Sequence, residues 1–330
     1  MQISGTKGTG MGMESPPILC VTPNPALDRT LEVPALRPGA ILRAASTRVA
    51  AGGKGVNVAR GLRALGVRSL AMGPLGGASG KILADLAEAE RLDAAWTWCD
   101  GIETRTCLIL VDPDARQATV VNEPGPTIAA DDWQLFSAGV VTAAAAASAV
   151  CISGSLPPGV AVTALAELCR SLARTWSRLP VWVDTSGAAL GEALAVPGVR
   201  LKINREEAEE ILGRALGDLG ACVAAARELL ARGASAIVLT LGADGALAAS
   251  ADGCWHAASP PVESASAVAS GDSFLAGLVA ALVAEEALPE ALRHGVAAGA
   301  ANAVANGGAR FTREEFHAAL SRVRARSLPR

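Results

Sequence analysis

The sequence predicts an α/β fold in which a mostly parallel sheet is covered by helices on both faces. Two observations carry that prediction. Short apolar, β-branched runs alternate with Ala/Leu-rich stretches of helical period along most of the 330 residues, the order expected of strand–helix–strand units. Most of the strand-like runs are dominated by apolar residues rather than alternating with polar ones, as strands buried on both faces are. A third observation adds a second part: residues 29–50 and 96–122 contain no convincing helix, so a smaller β-sheet is expected there.

In chain order, residues 1–15 are rich in Gly, Ser and Thr and lack an apolar segment; a disordered tail is expected, not a signal peptide. The remainder, 16–330, is expected to be one domain. Its first strand is Ile-Leu-Cys-Val-Thr at 18–22, and a glycine-rich turn then leads into a helix over 55–65. A strand over 69–72 and a helix over 79–91 continue the alternation. Within 96–122, segments 104–112 and 117–122 read as antiparallel strands joined by a turn at Asp112-Pro-Asp114. With 29–50 they are expected to form a small sheet that projects from the α/β body; the alternative is that they are edge strands of the main sheet. Residues 133–166 carry no charge, but Ser153-Gly-Ser155 and Pro157-Pro158 interrupt any continuous span of a membrane. A helix, a buried strand over 149–153 and a loop account for them better. Helices over 161–175, 206–212, 219–231, 273–283 and 289–305 and strands over 181–184, 200–203 and 236–240 complete the pattern. No internal repeat is present.

Composition narrows the function. A net charge of −3 argues against nucleic acid or an anionic membrane as the main partner, and 51% hydrophobic against 18% charged residues supplies a large core. The seven cysteines are scattered without CxxC spacing, which points to free thiols and a reducing cytoplasm. Three dispersed histidines without HExxH argue against a zinc site.

The chemistry concentrates in a few segments. Val268-Ala-Ser-Gly-Asp-Ser-Phe-Leu-Ala-Gly277 places Asp272 after a small-residue turn at the start of an apolar helix. Backbone N–H groups at such a terminus attract phosphate, and a carboxylate among them can take a proton from a hydroxyl. Together they suit phosphoryl transfer to an alcohol, although the same residues also suit an ordinary loop with a helix cap. Ala51-Gly-Gly-Lys-Gly-Val-Asn57 lets backbone approach a ligand closely at Gly52 and Gly53, with Lys54 and Asn57 able to bond hydroxyl or phosphate oxygens. A tight strand-to-helix turn without chemical role is the alternative.

Asp28 follows the first strand, where parallel sheets bind ligands, and can accept sugar hydroxyls or close a plain turn. In Lys202-Ile-Asn-Arg-Glu-Glu207, the lysine can neutralise phosphate, while Asn204 and Glu207 suit hydrated Mg²⁺ or a helix cap. Thr240-Leu-Gly-Ala-Asp-Gly245 reads as a turn that can lie under a nucleotide. Gly76-Gly-Ala-Ser-Gly-Lys81 resembles a phosphate-binding P-loop but has Leu75 at the first Gly position and Ile82 at the Ser/Thr position.

These segments, in this order, resemble the PfkB (ribokinase-like) carbohydrate kinases. Gly52-Gly-Lys-Gly-Val-Asn57 is similar to the family's N-terminal signature and Ser270-Gly-Asp-Ser-Phe-Leu-Ala-Gly277 to its C-terminal one. Thr22-Pro-Asn-Pro-Ala-Leu-Asp28, Glu103-Thr-Arg105, Asn122-Glu-Pro-Gly-Pro126 and Ser153-Gly-Ser-Leu-Pro157 resemble the branch that holds 1-phosphofructokinase and tagatose-6-phosphate kinase. The resemblance implies a three-layer α/β/α fold with a β lid, and a cytoplasmic hexose-phosphate kinase that uses ATP and Mg²⁺. It implies Asp272 as the base, with the amides of Ala269, Ser270, Gly271 and Asp272 facing the transferring phosphoryl group. Asp28, Gly53, Asn57 and Arg105 would hold the sugar phosphate. Lys202, Asn204, Thr240, Gly242 and Gly245 would serve ATP, and Glu207 would position Mg²⁺. A homodimer through the lid is also implied. The acceptor is expected to be fructose 1-phosphate, with tagatose 6-phosphate or fructose 6-phosphate as alternatives and a non-catalytic sugar-phosphate-binding regulator as a remote one. Three residues depart from the family pattern: Ala269 stands where Gly is usual, Ile203 where Pro is common, and Cys107 where many relatives carry Asn.

Overall fold

The computed structural model describes residues 15–115, 117–262, 268–305 and 308–329. Apart from Ser15, the tail expected at 1–15 lies outside the described residues. The chain opens with β1 (Ile18–Val21), β2 (Ala26–Glu32) and β3 (Ser46–Gly52), followed by α1 (Lys54–Ala64), β4 (Ser69–Leu75) and α2 (Gly77–Ala89). Next come β5 (Ala94–Trp98), β6 (Arg105–Asp112), β7 (Gln117–Asn122), α3 (Ala130–Ala143), β8 (Ala149–Ser153) and α4 (Ala164–Thr175). The C-terminal half holds β9 (Val181–Asp184), α5 (Gly187–Leu194), β10 (Arg200–Asn204), α6 (Arg205–Leu212), α7 (Leu219–Ala231) and β11 (Ala236–Thr240). It ends with β12 (Ala246–Ser250), β13 (Gly253–Ala257), α8 (Ser270–Val283), α9 (Leu288–Val304), α10 (Arg313–Arg322) and β14 (Ala325–Ser327).

The main sheet has the order β14-β13-β12-β11-β10-β9-β8-β1-β4-β5. From β5 to β11 every neighbouring pair is parallel, and β12, β13 and β14 add antiparallel strands at one edge. Strand periodicity sorts the side chains into two cores. Leu19, Val21, Val183, Ile237 and Leu239 face α3, α4, α5 and α7. Their neighbours Ile18, Cys20, Trp182, Ala236 and Val238 pack with α1, α8, α9 and α10 on the other face. Three layers result because the central parallel strands bury apolar side chains on both sides. The seven cysteines are free and buried.

A second sheet has the order β3-β2-β6-β7, with β2 antiparallel to β3, parallel to β6, and β6 antiparallel to β7. Leu27, Ala51 and Val56 pack with Leu75 and Leu83 and tie this sheet to α2 and the body. Its boundaries differ from the sequence expectation in two ways. Trp96 belongs to β5, which pairs with β4 at the edge of the main sheet, so the second insertion begins beyond it. The first insertion begins at Ala26, so Asp28 sits within β2 rather than in a loop after β1. The alternative, edge strands of the main sheet, does not hold for β6 and β7, which pair with β2 and with each other. Residues 133–166 form most of α3, a short 3₁₀ turn, β8 and the loop into α4. Among the described residues no helix is long and apolar enough to cross a membrane.

Candidate active site

The C-terminal ends of β9, β10 and β11 face the N-termini of α1 and α8, and the candidate residues gather there. Helix α8 starts unusually. Ala269 holds φ 60 and ψ 12, the left-handed region, and no side chain caps the helix. The Ser273 N–H donates to the Ala269 carbonyl at 2.9 Å, while the first-turn amides of Ser270, Gly271 and Asp272 have no intrahelical acceptor by the geometry of any helix start. Asn302 of α9 braces the turn by donating to the Val268 carbonyl (2.9 Å) and the Ser270 hydroxyl (3.1 Å). At Gly271, a Cβ would stand 2.9 Å from Lys202 Nζ, so glycine lets the ammonium approach bare backbone.

Asp272 is buried and accepts a hydrogen bond from Asn57 Nδ2 at 2.8 Å. Burial, with the carboxylate of Asp184 behind it, pushes its carboxyl above the usual range, against the opposing charges of Lys54 and Lys202. Asp184 is fully buried and pairs with both lysines, Lys54 Nζ to Oδ1 and Lys202 Nζ to Oδ2, each at 2.8 Å. Burial alone would raise its carboxyl; the two ammonium groups outweigh this and hold it below the usual carboxylate range. Burial likewise works against the charge on Lys54, but Asp184 and Asp272 raise its ammonium well above the ordinary value. One negative charge therefore holds two positive ones at the floor of the site. Sequence reasoning missed Asp184. The available signal was a carboxylate ending the apolar run Val-Trp-Val of β9, at the sheet edge where ligands bind.

Two cavities meet at this turn. One, about 460 Å³, is lined by Asp28, Gly53, Lys54, Asn57, Arg105 and Asp272 among others. Pairing of β2 with β6, and of β6 with β7, sets Asp28 beside Cys107 and Cys107 beside Asn122. Burial raises the Asp28 carboxyl to about 6; Arg60 and Arg105 oppose the shift and Asp272 adds to it. A side chain at Gly52 would collide with the Asp28 carboxyl, and Gly53 holds φ 103, so both glycines are required by the close packing of the turn. Arg105 donates to the carbonyls of Glu123 (2.8 Å) and Asn24 (2.9 Å), which fix its guanidinium at the cavity wall.

The second cavity, about 570 Å³, shares Lys202 and Gly271 with the first and is lined by Asn204, Thr240, Gly242, Gly245 and Ser270, with Phe274, Val296 and Ala300 as an apolar wall. Gly242 and Gly245 hold φ 61 and φ 92, and a Cβ at Gly245 would collide with the Ala257 carbonyl. Asn204 and Glu207 form a capping box at α6: the Glu207 N–H donates to Asn204 Oδ1 (2.7 Å) and the Asn204 N–H to Glu207 Oε2 (2.8 Å). Glu207 is not among the residues that line this cavity, although its neighbours Asn204, Arg205 and Glu206 are, and burial raises its carboxyl above the usual range. Among the described residues no cluster of three or more His, Cys, Asp or Glu could cage a metal. The P-loop-like Gly76–Lys81 segment does not join the site. Its helix start is occupied by Glu103, which accepts from the Ala78 and Ser79 amides.

A sheet-edge site with an uncapped helix terminus between two cavities belongs to a recognisable class. Residues 24–315 match the model described as pfkB family carbohydrate kinase, and the chain belongs to that family. It is 37% identical over 267 residues to a 1-phosphofructokinase of Xanthomonas campestris, covering 80% of this chain and 83% of the relative. It is 33% identical over 260 residues to the ATP-dependent 6-phosphofructokinase isozyme 2 of Escherichia coli, covering 78% and 83%. The crystal structure of Escherichia coli phosphofructokinase-2 in complex with fructose-6-phosphate superposes with a TM-score of 0.85 at 29% identity, covering 93% of this chain and 99% of that one. An Arabidopsis thaliana ribokinase structure shares the fold alone, with a TM-score of 0.73 at 18% identity.

Proposed function

We propose that this protein is an ATP-dependent hexose-phosphate kinase that converts fructose 1-phosphate and ATP to fructose 1,6-bisphosphate and ADP. The observation that carries the proposal is the α8 turn: it borders both cavities, with Asp272 facing one and Ser270 the other. The cavity with Asp28, Asn57 and Arg105 takes the sugar phosphate, and the cavity with Thr240, Gly242 and Gly245 takes the nucleotide. The acceptor hydroxyl attacks the γ-phosphorus, its proton passes to Asp272, and the bond to the β–γ bridging oxygen breaks to release ADP. The turn's amides, with Lys54 and Lys202, stabilise charge on the transferring group.

Glu207 suits Mg²⁺ of the kind held through water. Only its Oε2 is engaged by the capping bond, and hydrated Mg²⁺ takes most ligands from phosphates and water. When bound, the ion neutralises phosphate charge. The four-stranded sheet acts as a lid that keeps water, a competing nucleophile, from the phosphoryl group. Its edge strand, β7, leaves Val121 53% exposed on the face away from the cavity that its neighbour Val120 lines, and this open, partly apolar edge supports a homodimer through the sheet. The buried free thiols fit a reducing cytoplasm.

A second reading, fructose 6-phosphate as acceptor, is favoured by the likeness to the Escherichia coli isozyme. ADP release measured over fructose 1-phosphate, fructose 6-phosphate, tagatose 6-phosphate and free fructose decides. The highest kcat/KM is expected on fructose 1-phosphate. Preference for another sugar phosphate overturns the isomer choice; preference for free fructose overturns the phosphorylated acceptor.

A further inference from the structure

Behind the acceptor cavity, a run of buried polar groups leads away from Asp272. Asn57 Nδ2 donates to Asp272 Oδ2 at 2.8 Å, and Asn57 Oδ1 accepts from Arg60 Nη1 at 2.7 Å. Arg60 is 2% exposed. Its remaining donors reach Glu90 Oε2 at 2.5 Å, the Ala51 carbonyl at 2.6 Å and the Gly308 carbonyl at 3.3 Å. Glu90 also takes Arg310 at 2.7 Å. Burial would raise the Glu90 carboxyl, but the two guanidinium groups hold it below the usual range.

We infer that Arg60 is a positioning residue for phosphoryl transfer: it fixes the Asn57 amide so that Asn57 holds the Asp272 carboxylate in a single orientation. The inference rests on Asp272 being the base. A guanidinium only donates and an ionised carboxylate only accepts, so an amide between them has one satisfactory orientation, oxygen toward Arg60 and nitrogen toward Asp272. Reversing it would set donor against donor and acceptor against acceptor. Arg60 and Asn57 lie three residues apart on one face of α1, which keeps the contact within a rigid element. Glu90, just beyond α2, and the Ala51 and Gly308 carbonyls hold the guanidinium from other directions. A buried charge held this way is costly to desolvate and rarely adds net stability over apolar packing. Control of a neighbouring group's geometry is a role apolar packing cannot supply.

The test is a set of variants assayed at saturating acceptor with ATP varied: Arg60→Gln, Arg60→Lys, Asn57→Ala, both pairings with Asn57→Ala, and Asp272→Asn. Loss of carboxylate alignment is expected to lower kcat about 10–100-fold in either Arg60 variant, with KM for ATP within about threefold of wild type. In the Asn57→Ala background the same Arg60 changes are expected to alter kcat less than about threefold, because the path to Asp272 is already cut. If Arg60→Gln does not fold, Arg60→Lys decides on the same criteria, since it retains the charge but not the fork of donors. A kcat within about threefold of wild type in folded Arg60→Lys, or a loss that persists undiminished in the Asn57→Ala background, overturns the inference. Substantial turnover by Asp272→Asn instead overturns the assignment of the base, so the two failures are distinguishable.

Discussion

Ala269 carries a backbone conformation that L-residues with a Cβ adopt at a cost of roughly 1–2 kcal/mol, yet it opens the helix at the centre of the site. Glycine at this position relieves that strain, while greater freedom of the unfolded chain offsets part of the gain, about 0.4–1 kcal/mol. Ala269→Gly is therefore expected to leave kcat unchanged or raise it by no more than about threefold, with stability altered by less than about 1 kcal/mol. Steady-state kinetics and a urea melt check this; a tenfold fall in kcat would give the methyl group a positive role. At this scale the sequence was informative where chemistry is local. Asp272 in its turn and the Gly52–Asn57 segment announce themselves by spacing. Asp184 and Arg60 do not, because each is fixed by distant partners as well as nearer ones: Asp184 bonds a lysine 130 residues away, and Arg60 reaches a carbonyl 248 residues away.

In helix α6 one pair of side chains has an observed role and a proposed one. Asn204 and Glu207 close a capping box, the structural alternative for these residues, and the same glutamate is proposed to hold hydrated Mg²⁺. The two roles separate in Glu207→Gln, because a Gln carbonyl still accepts the Asn204 N–H but carries no charge. Stability is expected to change by less than about 0.5 kcal/mol, since Glu and Gln both complete a capping box. Turnover is expected to fall, and the Mg²⁺ concentration giving half-maximal rate to rise. Unchanged Mg²⁺ dependence would leave Glu207 as a cap alone. Elements differ in how plainly they are written. The central parallel strands are apolar on both faces and were legible as continuous runs. Strand β12, Ala-Leu-Ala-Ala-Ser, is built of helix formers and is a strand only because β11 and β13 pair with it, so tertiary context overrides propensity. Strand β5 lies at the sheet edge with its residues partly or largely exposed, and it shows neither a buried run nor clean alternation.

Across the whole molecule, the small sheet and the α/β body border the proposed acceptor cavity, while β7 leaves the sheet an open edge with Val121 exposed. Pairing through that sheet in solution predicts a species of twice the 33.2 kDa chain mass in light scattering at micromolar concentration. A single-chain mass with and without substrates would contradict it. If Asp272 is the base, Asp272→Asn keeps the size of the side chain and the turn's amides but cannot take the hydroxyl proton. The decisive measurement is kcat and nucleotide Kd on folded Asp272→Asn. Loss of a general base predicts a kcat lower by about 10²–10⁴-fold, and removal of a negative charge near the triphosphate predicts a Kd that is unchanged or tighter. Retention of more than about a tenth of wild-type kcat, when a lost general base costs at least about 10², would contradict the account.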